Sequence, residues 1–532
     1  MMKNDVFSFV AGLLLSLTGT IPVQAQSDAD WIKGFPDGCT SVTAGKLATA
    51  DGSVMTSHTD DSHRTRSSVD IVLPAEYPRG SQTEMFRRVN DDTRAMPSYA
   101  FVKTGEIPQM PNTFGYVNSA YPCMNQYQLG IGESTFGGRS ELRSDKGLID
   151  CQDLIKLMLE RCKTAREALI LTSGLLGQYG WNDAGECLTI ADKNEVWHLE
   201  IVGPGKGLTG AVWVAQRVPD EHVSVNANAS TIKEVDVNDP ENFMASDNVF
   251  EVARQNGWWN DNETFRFCYA YAPESRTSLA SRRREWRVLS LLAPSLKLDP
   301  NAENYPFSVK PDKLVTKDDL ITVFKDYYEG TDFNYIKDIT VTDEKGKTVI
   351  SPMANPFMPY DMNKIFKVNG GWGWMGERTI ARWYTMYATI IQCRSWLPDD
   401  VGGIAWFALD NVATSIYIPI FCGVNDLPQS YKVDGRVTGF SNESAWWAFN
   451  RLGTLAAQRW GDMRKDVDSL WIPLQRQIFL STEGLENQLI SVPGPAERKS
   501  LLTEFTVNWG NEVVKTAWKL GDLIWTKYDE KF

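Results

Sequence analysis

From residue 39 onward the chain alternates short β-type runs with turn signals. Cys39-Thr40-Ser41-Val42-Thr43-Ala44 is small and β-branched, Asp51-Gly52 is a turn signal, and Val54 to Thr59 resumes the strand character. This predicts a strand pair. Leu129-Gly130-Ile131-Gly132 predicts another strand, whose glycines mark the close approach of a backbone or ligand. Residues 150 to 177 predict two helices, with Asp150 capping the first, a capping box at Thr164 to Glu167 opening the second, and Gly177 ending it. β signals return at Cys187 to Ala191 and Val196 to Ile201 around the loop Asp192 to Glu195, then at Ala211 to Gln216 and His222 to Asn226. Between Asp236 and Asn355 no period stands out. Ile404 to Leu409 and Ser415 to Phe421 predict strands, and the chain from Glu443 onward predicts helices, with Leu501, Phe505, Trp509 and Val513 at every fourth position. The order of strands, helices, strands and helices predicts an α+β, layered architecture.

The start of the chain differs in kind. Lys3 precedes the apolar run Val6 to Leu17, and Val23-Gln24-Ala25 offers small residues for a cut. Residues 1–25 therefore read as a secretory signal, too short in its apolar part for a span of ~20 residues. An exported protein, periplasmic or extracellular and without a stable membrane span once the signal is removed, is expected. Residues 26–38 are polar, lack a period, and read as a linker or propeptide.

Composition narrows the partners. The chain has 532 residues and a formal net charge of -13, which argues against nucleic acid. Its eight cysteines include no CxxC pair, so zinc-knuckle and thioredoxin-like motifs are absent. Disulfides are compatible with export, but no pairing can be read.

Cys39 is the leading candidate for chemistry. It opens a strand directly after Gly38 and the polar segment. A cut between Gly38 and Cys39 puts a thiol and a free α-amine on one residue, and the amine can serve as base to the thiol. This suits a chain with four histidines. The plainer reading is a packed structural cysteine. His58-Thr59-Asp60-Asp61-Ser62-His63 offers zinc-type ligands but only two per strand face, so no metal and no cofactor is expected; alternatively Asp61 orients the Cys39 amine. Glu133 is a loop or site acid. Asn226, with Asn228 as rival, can donate to an oxyanion or form a turn. Trp181, Trp372 and Trp374 suit glycan stacking or core packing. Arg378 is a carboxylate holder or a surface residue.

An ordered set of motifs resembles the C69 dipeptidases, a family of N-terminal-nucleophile hydrolases. It comprises Asp37-Gly38-Cys39-Thr40-Ser41, Ala50-Asp51-Gly52-Ser53, Thr59-Asp60-Asp61, Gly132-Glu133-Ser134-Thr135, Leu188 to Asp192 with Glu195-Val196-Trp197, and Trp213 to Asn226, then Arg378-Thr379-Ile380, Gln392-Cys393-Arg394 and Leu397-Pro398. The resemblance implies a four-layer αββα sandwich over residues 39–430, with a mainly helical extension over 431–532. It implies that Cys39 is released as nucleophile and that dipeptides are hydrolysed through a thioester, with Asp61 and Asn226 as catalytic partners. His58, Glu133 and Arg378 would contact substrate. Related bile-salt hydrolases and penicillin acylases carry an arginine where this chain has His58. An acylase of that type, a metallopeptidase built on His58 and His63, and a glycan-binding protein are the alternatives. Oligomeric state is open.

Overall fold

The computed structural model describes residues 37–62, 64–91, 98–356 and 378–531. The signal and most of the linker, His63, Trp372 and Trp374 lie outside the described residues. The longer strands are β1 (Gly38–Ala44), β2 (Val54–Asp61), β3 (Gln82–Asp91), β4 (Ser98–Pro108), β5 (Gly130–Gly137), β6 (Gly185–Ala191), β7 (Val196–Val202), β8 (Val212–Val218), β9 (Val223–Asn226), β10 (Thr385–Cys393), β11 (Ile404–Leu409) and β12 (Ile418–Phe421). The main helices are α1 (Cys151–Arg161), α2 (Ala165–Tyr179), α3 (Leu279–Leu292), α4 (Ala445–Gln458), α5 (Trp460–Leu489) and α6 (Pro495–Lys527).

Two antiparallel sheets organise the molecule. One runs β9-β1-β2-β10-β11-β12, with the short strand Ser308–Val309 outside β9. The other contains β8-β7-β6-β5 and continues through short strands on either side. Side chains stitch the sheets together: Ser41 Oγ donates to the Glu133 carbonyl at 2.9 Å, and the Thr56 and Thr189 hydroxyls lie 2.7 Å apart. Thr43 meets His198 at 2.9 Å, and burial pushes that imidazole down to about 3, so it bridges as a neutral ring. Gly132 sits where the sheets come closest, since a Cβ there would lie 2.4 Å from the Ser57 carbonyl oxygen. Its place in the strand is thus a steric requirement.

Helices cover the sheets. Leu154, Leu157 and Leu169 of α1 and α2 pack in one cluster with Leu188, Ile190 and Leu199 of β6 and β7. Leu289 of α3 and Leu452, Val513 and Leu520 of the C-terminal helices share a second cluster with Ile390, Ile404 and Phe421. The C-terminal helices therefore complete the core of the first sheet. Asp150 and Thr164 cap α1 and α2 by accepting from the Asp153 and Glu167 amides. The end of α2 differs from expectation: Gly177 lies inside it, and the chain leaves the helix at Gly180, whose φ of 72° suits glycine. The unparsed middle contributes α3. All eight cysteines are free. Among the described residues no helix is long and apolar enough to cross a membrane.

Candidate active site

The β1–β2 register places Cys39 opposite Asp60 and Gly38 opposite Asp61. Alternation along β1 points the Cys39 thiol between the sheets, the direction also taken by Ser41 and Thr43. There Cys39 Sγ donates to Glu133 Oε2 at 3.1 Å. His58 Nε2 lies 3.3 Å from the same oxygen, an ion-pair distance without hydrogen-bond alignment. Tyr121 and Tyr387 hold the His58 ring edge-on, with centroids at 5.5 and 5.6 Å. Burial, then Glu133, Asp60 and Asp61, push the Cys39 thiol well above its ordinary range, so it keeps its proton until a base takes it.

Glu133 is one of a pair. Thr135 Oγ1 lies 2.9 Å from Glu133 Oε1 and 2.7 Å from Glu186 Oε1. One hydroxyl hydrogen cannot serve two carboxylates. The contacts are satisfied when Glu186 carries a proton and Glu133 is ionised. Burial, then Glu133, push Glu186 up. Burial also opposes ionisation of Glu133, but the His58, Glu186 and Cys39 contacts outweigh it and hold that carboxyl down.

The backbone side of Cys39 has a different lining. The Cys39 N–H donates to Asn228 Oδ1 at 3.0 Å. The same oxygen accepts from Arg284 at 2.9 Å and Arg378 at 3.3 Å. Arg284 also donates to the carbonyls of Cys39 and Ala227 and to Thr40 Oγ1, at 2.7, 3.0 and 3.0 Å. Burial, then Arg378, push its guanidinium down to about 9. Arg378 Nη2 donates to Asp61 Oδ2 at 2.6 Å, and Thr385 Oγ1 donates to Asp61 Oδ1 at 2.6 Å. Asp61 thus reaches the Cys39 backbone through Arg378 and Asn228. Gly38 fits tightly here, for a Cβ on it would lie 1.7 Å from Arg378 Nη1.

The structure brings Cys39, His58, Asp61, Glu133 and Arg378 together. Asn226 is set differently. Its Nδ2 donates to the Ala229 carbonyl at 2.7 Å, so its amide supports the turn, and Asn228 is the residue that touches Cys39. Asn228 Nδ2 is itself turned to the Thr135 carbonyl at 2.7 Å. Asp60, across from Cys39, accepts from Thr65 Oγ1 at 2.6 Å, and burial pushes it up to about 7. Trp181 is fully buried with its indole N–H on the Ala184 carbonyl, which makes it a core residue. Sequence reasoning missed Arg284, Glu186 and Thr385. Arg284 belongs to the run Arg282-Arg283-Arg284 in α3, and the structure buries all three.

Among the described residues two groups present ligand atoms within 4.8 Å of one another: Cys39, His58 and Glu133, and Glu133, Cys151 and Glu186. Both centre on Glu133, which the Cys39 thiol, the Thr135 hydroxyl and His58 already contact.

The model of peptidase family C69 matches residues 38–472, running past the boundary expected at 430. A probable dipeptidase of Latilactobacillus sakei is 26% identical over 472 residues, covering 85% of this chain and 89% of the relative. Probable dipeptidase B of Streptococcus pyogenes serotype M1 is 23% identical, covering 87% and 88%. Probable dipeptidase A of Streptococcus pyogenes serotype M3 (strain SSI-1) is 23% identical, covering 85% and 90%. With the match spanning most of its length, from the residue before the buried thiol into the helices that close the core, the chain belongs to peptidase family C69.

Proposed function

We propose that this protein is an exported dipeptidase of the N-terminal-nucleophile type, with four αββα layers and Cys39 as the residue exposed by cleavage after Gly38. The observation that carries the reading is the double setting of Cys39, with its thiol on Glu133 and its backbone nitrogen on Asn228. Once that nitrogen is a free amine, it takes the thiol proton, directly or through water, and the thiolate attacks the peptide carbonyl. The amine then protonates the leaving amine, a thioester remains, and water releases the acyl product.

Arg378 stands beside Gly38 and offers a positive group to the developing oxyanion. Asn226 could share that work only by exchanging the Ala229 carbonyl for substrate. Asp61 and Thr385 fix Arg378. Glu133, ionised and 3.1 Å from the thiol, lies where the α-ammonium of an N-terminal residue would fall, two bonds from the attacked carbon. That favours a peptide with a free amino terminus over a bile-salt or penicillin-type acyl amide. His58 braces Glu133.

N-terminal sequencing with intact mass of the active protein tests this reading. A start at Cys39 is expected. A fully active preparation starting at Gln26 overturns it.

A further inference from the structure

A cavity of about 300 Å³ lies beside the nucleophile, walled by Arg87, Arg88, Tyr121, Arg143, Asp150 and Asp183. Two contacts connect it to Cys39. Tyr121 packs edge-on to His58, and Cys151, also in the wall, has its thiol within 4.8 Å of the Glu133 carboxylate. Behind that wall, Glu133 and His58 stand between Cys151, Tyr121 and the attacking sulfur, and Arg88 faces Asp60, the residue opposite Cys39 in the β1–β2 pair.

The charges in this cavity are not equivalent. Asp150 accepts from the Asp153 amide at 2.9 Å, and Asp183 accepts from the Cys151 and Ala184 amides at 3.2 and 2.7 Å. Both acids are thus engaged by the backbone around the start of α1. Arg88 differs: its guanidinium meets Tyr121 and faces Asp60, yet its Nη1 is buried without a hydrogen-bond partner. A desolvated guanidinium N–H is costly to leave unmade, and its forked geometry suits a carboxylate. Arg88 and Gln152 also line a second cavity, of about 380 Å³, whose walls include Phe86, Tyr99, Phe101 and Tyr116.

We propose that Arg88 binds the C-terminal carboxylate of the dipeptide and that the second cavity receives a large apolar side chain on the leaving residue. This rests on the dipeptidase reading above. With the α-ammonium on Glu133 and the carboxylate on Arg88, the site measures the substrate from both ends. The leaving residue spans at most ~3.6 Å, and the long Arg88 side chain supplies the remaining reach toward its carboxylate. A tripeptide would place an uncharged amide at Arg88.

The test compares alanyl-phenylalanine, its C-terminal amide and alanyl-phenylalanyl-alanine on the full-length processed protein. The free acid should exceed the amide in kcat/KM by about 10- to 100-fold, the worth of a charge-assisted contact. Arg88→Met should collapse that ratio mainly through KM, and Arg88→Lys should restore part of it. Equal cleavage of acid and amide by the unmodified protein overturns the proposal. So does an Arg88→Met variant that keeps the full acid-to-amide ratio. Hydrolysis of a simple N-acyl amide with no turnover of any peptide overturns the dipeptidase reading itself, and the proposal with it.

Discussion

Arg378 occupies the space that any side chain on Gly38 would need, with its Nη1 1.7 Å from the position of a Cβ. Gly38→Ala must push the guanidinium away from Asp61 and Asn228, its two partners at the proposed cleavage point. Release of Cys39 in this variant should slow by at least about tenfold, since small misplacement of reacting groups is costly. Intact mass followed over time reads it, and processing at the unmodified rate would show that the Arg378 position is irrelevant to the cut.

Glu133→Gln keeps the shape of the side chain and removes its charge. For peptides with a free amino terminus, kcat/KM should fall by about 100-fold, the scale of a lost buried charge pair. The same peptides N-acetylated should lose far less. An equal loss on both series would assign Glu133 to the thiol alone.

Arg284 donates to four acceptors from β1 and the segment after β9. Arg284→Met leaves buried oxygens without donors and should cost about 3–5 kcal/mol, as breaking a buried charged network does. Urea unfolding measures it. A variant within 1 kcal/mol of the unmodified protein (~ the effect of a surface change) would mean that water replaces the guanidinium.

Much of this site was legible in the β1–β2 pair. The turn at Asp51-Gly52 sets the hairpin, whose register then brings Gly38 opposite Asp61 and Cys39 opposite Asp60. Glu133 followed from the glycine strand, because Gly132 marks where the sheets meet. Asn228 was harder. Strand alternation stops at Asn226, and the chain then turns through a left-handed residue, Asn228, with φ 56°; period-2 reasoning cannot follow a side chain past that point. Arg284 was hidden for another reason: the Cys39 carbonyl it donates to lies 245 residues away in sequence, a partner no local pattern can name.

Metal removal should leave activity intact. Although Cys39, His58 and Glu133 lie close enough to share an ion, the proposed reaction uses the thiol as nucleophile. Incubation with a chelator should change kcat by less than about twofold, whereas a thiol-blocking reagent should abolish turnover. The opposite pattern would revive the metallopeptidase alternative.

Stability should decline from pH 5 to pH 8 through buried acids. Burial pushes Asp410 up to about 7 against the Asn450 and Asn411 contacts. Its folded value lies above the unfolded one of ~3.9, so the folded state binds more protons between them. The contribution is greatest below the unfolded value and is lost as pH rises through about 7. Asp410→Asn should flatten the decline in urea midpoint. An unchanged slope would exclude Asp410 as a source.

The hydrogen bond from the Cys39 nitrogen to Asn228 is already in place while Gly38 is still attached. On the proposed route, latency in the precursor is chemical and not conformational. Nothing has to swing, unlock or refold; an amide that cannot accept a proton becomes an amine that can. The new amine emerges beside Arg284 and Arg378, which share its acceptor and oppose a second positive charge. The same arginines that hold the uncut chain in register would thus favour the neutral, proton-accepting form of the base that cutting creates.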